Sequence, residues 1–170
     1  MAVETEHRSG IGWDLHPLVP GRALILGGVR IPAEVGLAGH SDADVLAHAI
    51  TDALLGAAGL GDIGQHFPDT DPQWAGADSL VFLRHAQQLA GRHGFTVVHV
   101  DATVVLERPK LAAYRSAIRE SLAAALGLDP ENVSVKFKTA EKLGPVGEGR
   151  AAEAYAVVTL RRTIAPGNPG

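Results

Sequence analysis

A mixed α/β fold of the α+β type, one β-sheet with helices packed on one of its faces, is predicted by three features of the chain. Val45, Leu46, Ala49, Ile50, Ala53, Leu54 and Ala57 recur at helical spacing and stop at Gly59. Phe95 to Glu107 alternates instead, with Val98, Val100, Ala102, Val104 and Leu106 on one face and His99, Asp101 and Thr103 on the other. Around these two segments the elements follow the order ββααβαβ, which gives a mixed sheet with a helical layer on one side.

Taken in order, residues 1–8 are polar and read as loose chain. Gly10 to His16 and Ala23 to Ile31 read as strands, with a turn at Pro20-Gly21 and a bend or bulge at Gly27-Gly28. Pro32 to Gly39 is a loop rich in Gly and Ala. The first helix takes Ser41 or Asp42 as its cap, and Ser41-x-x-Asp44 has the form of a capping box. Residues 60–76 form a long loop, of a kind that in a compact domain is more often functional than idle. A second helix runs from about Asp78 to Arg92 ahead of Gly94. Pro109 ends the alternating strand, and Leu111 to Leu126 forms a third helix closed by Gly127. Val133 to Thr139 and Ala152 to Arg162 are the last two strands, separated by a glycine-rich loop. One uncovered sheet face that still carries apolar residues points to burial in a homo-oligomer.

The 170 residues make a single domain, placed at 9–162, with 1–8 and 163–170 as flexible ends. A net charge of -4 argues against a general nucleic-acid or bilayer surface. With no cysteine, disulfides and thiolate ligands are excluded, so any transition-metal site must use His and carboxylate. Met1 to Gly10 has no apolar core of a signal peptide, and no run reaches membrane-spanning length, so a soluble cytoplasmic protein is expected.

The chemistry concentrates near the start. In Asp14-Leu15-His16 the acid and imidazole are two apart, so a strand projects both from one face. His48 lies in the first helix and can close a triangle from the opposite side. Two imidazoles and a carboxylate with an open fourth position form a catalytic zinc set. Asp52, four residues after His48, either accepts from that imidazole or lies on a solvated helix face. His7, His66, His85, His93 and His99 lack partner spacing and are assigned to surface or packing.

Five segments occur in register: Gly12-Trp13-Asp14-Leu15-His16; His40-Ser41-Asp42-Ala43-Asp44 with His48; Asp52-Ala53-Leu54-Leu55-Gly56-Ala57; Gly61-Asp62-Ile63-Gly64; and Phe67-Pro68-Asp69-Thr70-Asp71. From Ser9 to Leu160 the chain resembles the 2-C-methyl-D-erythritol 2,4-cyclodiphosphate synthase family of the non-mevalonate isoprenoid pathway. The resemblance implies a cytoplasmic homotrimer with active sites between subunits. It implies that 4-diphosphocytidyl-2-C-methyl-D-erythritol 2-phosphate is cyclised with release of CMP. The substrate's own 2-phosphate would attack the β-phosphorus, chemistry that needs positioning and charge neutralisation more than a protein nucleophile.

The family's zinc ligands fall on Asp14, His16 and His48, in agreement with the spacing. A second divalent ion, magnesium or manganese, is implied at Glu141, whose hard oxygen suits it. His40 and Thr139 match residues that steady developing charge. His40 precedes the helix cap, where amide donors of the helix N-terminus can receive a phosphate, and Ser41 shares that turn. Asp62, Ile63 and Gly64, with Phe67, Pro68, Asp69, Thr70 and Asp71, match the erythritol-binding segments. Leu106, Glu107, Arg108, Pro109, Lys110, Leu111 and Ala112 match the loop that reads the cytosine edge, supplied by an adjacent subunit. Lys138 and Ala140, on either side of Thr139, complete the substrate-binding set.

One departure stands out. Glu148 occupies the place where relatives carry an arginine lining a cavity on the trimer axis that can hold an isoprenoid diphosphate. Three symmetry-related glutamates would repel such an anion. Two other functions stay open: a zinc phosphohydrolase that activates water, which would release inorganic phosphate, and a non-catalytic trimer that binds isoprenoid diphosphates, against which Glu148 argues.

Overall fold

The computed structural model describes residues 4–164. Its main sheet is built from β1 (Glu4–Pro20), β4 (Val35–Leu37), β5 (Thr96–Val105), β6 (Val133–Lys138) and β7 (Ala151–Ile164), in the spatial order β4-β1-β7-β5-β6. All neighbours are antiparallel except β5 and β6, which run parallel through α4 (Arg115–Leu126), so the sheet is mixed as expected. α1 (Val45–Ala58) lies across β1, β7 and β5, with α3 (Ser79–Arg92) beside it.

Small residues let that helix lie close. The inward row of β7 reads Ala152, Ala154, Ala156, Val158, Leu160, and it sits beside Val100, Ala102 and Val104 of β5. On β1 the inward positions are Gly10 and Gly12, then Asp14 and His16. A Cβ on Gly12 would run into the Ala49 carbonyl and stand 2.7 Å from the Ala53 amide nitrogen, so glycine is required by the approach of the helix backbone. Leu46, Ile50, Leu54 and Leu55 of α1 are fully buried, each worth about 1.5–3 kcal/mol relative to exposure.

Among the described residues, no helix covers the opposite sheet face. Ile11 (75% exposed), Trp13 (52%), Leu15, Tyr155 and Val157 stand there in register, Trp13 beside Tyr155 and Ile11 beside Val157. Asp101 and Thr103 share the face, with Lys136 paired to Asp101 at 2.8 Å.

Several expectations are corrected. The order among the described residues is ββββαααβαβαβ, because three-residue strands and single-turn helices are too short to leave a periodic signature. Residues 4–8, expected to be loose, begin β1, and 163–164 end β7; Glu4 pairs with Ile164. Their polar residues are engaged: Glu6 binds both Arg8 and Arg162, and the two guanidinium groups lie over the Phe95 ring at 4.9 and 4.6 Å. Residues 1–3 and 165–170, assigned to the flexible ends, lie outside the described residues.

The segment 23–31 is a hairpin, β2 (Leu24–Leu26) and β3 (Val29–Ile31), turned by Gly27 and Gly28 at φ 58° and 77°. The loop 32–39 contains β4, and 60–76 contains α2 (Ile63–His66) and a 3₁₀ turn, Pro72–Trp74. The third helix starts four residues late, after a 3₁₀ turn over Ala112–Tyr114. A bulge between Val97 and His99 puts Val97 rather than Val98 into the core.

Candidate metal centre and surrounding cleft

Asp14 and His16 leave β1 on its helix side, opposite Ala154 and Ala152, and His48 faces them from the first turn of α1. Asp14 Oδ2, His16 Nε2 and His48 Nδ1 converge in a triangle. Its edges are 2.8 Å (Asp14–His16), 3.0 Å (Asp14–His48) and 3.1 Å (His16–His48). Among the described residues this is the one such group of three able to hold a metal ion. The Ala38 carbonyl, 3.1 Å from His16 Nδ1, accepts that nitrogen's proton and so leaves Nε2 free for the triangle.

Burial works against the Asp14 carboxylate, but the hydrogen bond from His16 and the charge of the imidazoles beside it outweigh burial and hold the pKa down at about 2. For His16 burial pulls the pKa down, yet the hydrogen bond and charge of Asp14 prevail and raise it above 6.5.

The triangle forms one end of a cavity of about 560 Å³, lined also by Gly39, His40, Ser41, Ile63, Gly64, Phe67, Pro68, Asp69, Thr70, Trp74 and Phe82. The expected erythritol segments therefore surround the cluster, although Asp62 and Asp71 do not line the cavity. Asp62 caps α2 through Gln65, and Asp71 caps the following 3₁₀ turn through Gln73. His40 donates from Nε2 to the Asp71 carbonyl (2.9 Å), joining the cavity mouth to that turn.

A separate hollow of about 180 Å³ is lined by Leu106, Pro109, Lys110, Leu111, Ala112, Arg115, Phe137, Lys138 and Thr139. It shares no residue with the metal cavity of the same chain. Leu106 and Leu111 are core side chains, which leaves their backbone for any ligand. Glu107 accepts from the Ala140 amide at 3.2 Å, bracing the two loops together. Arg108 opens on another groove beside Glu34 and Gly149. Glu141 lies apart from the triangle, exposed, accepting from Thr139 Oγ1 at 3.1 Å; its φ of 52° and the 63° of Lys142 set a sharp turn there. Glu148 is paired with Arg150 at 2.6 Å.

Two readings of acids change. Asp44, not Ser41 or Asp42, caps α1: its buried carboxylate accepts from Ala47, Gly27 and Gly28, so the helix N-terminus is occupied rather than open to phosphate. Burial pushes that carboxyl up to about 6 in spite of the amide donors. Asp52 neither touches His48 nor lies free; it accepts from the Ile63 amide at 2.7 Å and pins the cavity loop to α1. Two groups of residues escaped the sequence reading. Ser79 and Asp42 stand behind His48, and Phe82 stacks on Phe67 with Trp74 edge-on to both as the aromatic back wall. Ser79 looks like an ordinary helix start, and aromatics at helical spacing look like core.

Residues 7–161 match the YgbB family. The chain belongs to the YgbB family. It is 66% identical, over 93% of its length and 99% of the relative's, to a 2-C-methyl-D-erythritol 2,4-cyclodiphosphate synthase of Solibacter usitatus. A solved structure of such a synthase in a CDP-bound form superposes with a TM-score of 0.83 at 45% identity, covering 90% of this chain and 99% of that one. The bifunctional IspDF of Campylobacter jejuni gives a TM-score of 0.90 at 40% identity over 94% of this chain; the chain spans 43% of that larger protein.

Proposed function

We propose that this YgbB-family chain converts 4-diphosphocytidyl-2-C-methyl-D-erythritol 2-phosphate to 2-C-methyl-D-erythritol 2,4-cyclodiphosphate and CMP, a phosphorus–oxygen lyase reaction. The observation that carries the reading is the Asp14–His16–His48 triangle at the end of a cavity walled by the 62–71 segment. The names of the relatives and the CDP-bound neighbour support it.

We assign zinc to the triangle. Bonds of about 2.0–2.1 Å in a tetrahedral zinc site place ligand atoms about 3.3 Å apart, a few tenths wider than the separations here. When bound, zinc, together with magnesium or manganese at Glu141, offsets the repulsion between substrate phosphates and polarises the phosphoryl group under attack.

The chain's residues do the rest. Gly64, Pro68, Asp69 and Thr70 hold the erythritol so that its 2-phosphate oxygen lies in line with the β-phosphorus, and such positioning supplies several kcal/mol. That oxygen bonds to the β-phosphorus while the bond from the β-phosphorus to the bridging oxygen breaks. The electron pair leaves on the CMP phosphate. His40 and Ser41 at the cavity, and Thr139 with Lys138 from a neighbouring subunit, face the charge that develops. Leu106 to Ala112 of that neighbour read the cytosine edge through their backbone.

The assembly we propose is a homotrimer in which the 106–112 hollow of one protomer completes the metal cavity of the next. The separation of the two hollows on one chain supports this, as does the uncovered apolar sheet face. No helix among the described residues is long and apolar enough to cross a membrane, and we place the enzyme in the cytoplasm. Incubation with substrate, zinc and magnesium should yield CMP and cyclic diphosphate in equal amounts and no inorganic phosphate. Phosphate release instead would make the chain a phosphohydrolase, and a monomer in sedimentation equilibrium would overturn the shared site.

A further inference from the structure

We infer that Ser79, backed by Asp42, is a positioning residue that fixes the tautomer and rotation of His48, an inference that rests on reading Asp14, His16 and His48 as a metal centre. Ser79 is the first residue of α3 and is fully buried. Its hydroxyl oxygen lies 2.7 Å from His48 Nε2 and in close contact with Asp42 Oδ1. Asp42 Oδ2 accepts from the Ser79 backbone amide at 3.1 Å, and Oδ1 accepts from Asp44 at 3.1 Å.

Directionality follows from the donor count. A carboxylate only accepts, so the single Ser79 hydroxyl proton goes to Asp42. The Ser79 oxygen then has only lone pairs to offer His48, and Nε2 must donate to it. A neutral imidazole has one N–H, so Nδ1 is left bare, 3.0 Å from Asp14 and 3.1 Å from His16. Ser41 Oγ is also near Nε2, but at 3.2 Å, and it already accepts from the Ala43 amide with no carboxylate behind it. His16 is set the opposite way round by Ala38, so two imidazoles with opposite tautomers aim their bare nitrogens at one point.

The same Asp42 ties the site to the cavity wall. Its amide donates to Ala77 at 3.0 Å, and Gly76 donates to the His40 carbonyl at 2.7 Å. The end of the 60–78 segment and the His48 ring are therefore held by one hydrogen-bonded unit.

The test uses the full chain, wild type, Ser79→Ala and Ser79→Thr, with folding followed by thermal melting. Zinc affinity is measured by chelator competition, and the His48 ring nitrogens are read by ¹⁵N NMR on metal-free protein. Ser79→Ala should weaken zinc binding by roughly 10–100-fold and give a mixture of His48 tautomers, whereas Ser79→Thr should restore both. Wild-type affinity and an unmixed Nε2–H tautomer in Ser79→Ala would overturn the inference, as would an Nδ1–H tautomer in wild type. Failure of wild type to take up zinc would instead sink the metal reading, while the metal-free spectra would still decide the part played by Ser79.

Discussion

Replacing Gly12 by alanine tests how tightly the metal triangle depends on the seam between strand and helix. The added methyl would stand 2.7 Å from the Ala53 nitrogen and 2.9 Å from the Ala49 carbonyl carbon, with the Ala49 oxygen nearer still, where ordinary contact begins at 3.4 Å. Both atoms are helix backbone and cannot rotate away, so β1 must lift from α1 by at least about 0.7 Å. Asp14 and His16 ride on that strand two and four residues on, while His48 stays with the helix. Metal–ligand distances tolerate only about ±0.2 Å, so the triangle should open beyond what one ion can bridge. Overpacking of this kind costs about 1–3 kcal/mol of stability, and rigid backbone places Gly12→Ala toward the upper end. Urea unfolding and zinc titration, run together, check both effects. Stability within about 0.5 kcal/mol of wild type combined with unchanged zinc affinity would refute the argument that this contact sets the site.

Acidity and charge give further expectations. In metal-free protein the lowered Asp14 pKa contributes stability above its ordinary 3.8 that is lost as pH falls through about 2, worth about 2 kcal/mol. The raised pKa of His16 contributes below 6.5 and is lost as pH climbs through its folded value. The stability gap between wild type and Asp14→Asn should thus be widest between about pH 4 and 6.5, and a gap that stays constant in urea titrations from pH 2 to 9 would contradict it. Glu141→Gln should retain zinc but need more magnesium for turnover; an unchanged magnesium dependence removes the role proposed for it. Ile11→Glu, on the uncovered sheet face, should leave circular dichroism intact while sedimentation shows monomers without turnover. Persistent trimers would mean that the apolar face is not the interface.

Much of this architecture is written in local pattern. The α1 stripe and its Gly59 stop could be read directly because every stripe residue is buried and the left-handed cap falls where glycine stands. The Asp14-x-His16 spacing was legible for the same reason, a strand's period of two. The three-residue strands β2 to β4 were not, since no period can be counted over so few positions. The bulge at Val97–His99 arises from pairing with β7, over sixty residues away in sequence, and nothing in 95–107 marks it. Asp44 was misplaced within its own motif. Its cap depends on Ala43 adopting φ 56°, a conformation that sequence would assign to glycine. Ser79 and Asp42 meet His48 only through tertiary contact between the starts of two helices.

The antiparallel seam of β1 and β7 brings Glu4 beside Ile164, clamped by the Arg8–Phe95–Arg162 sandwich. Ten residues of extended chain, about 33 Å, separate Glu4 from Asp14. A fluorophore, affinity handle or fused protein carried at either side of this seam would pull on the remote tip of the sheet. The cation pocket should therefore not sense such cargo, and both ends offer equivalent points of attachment.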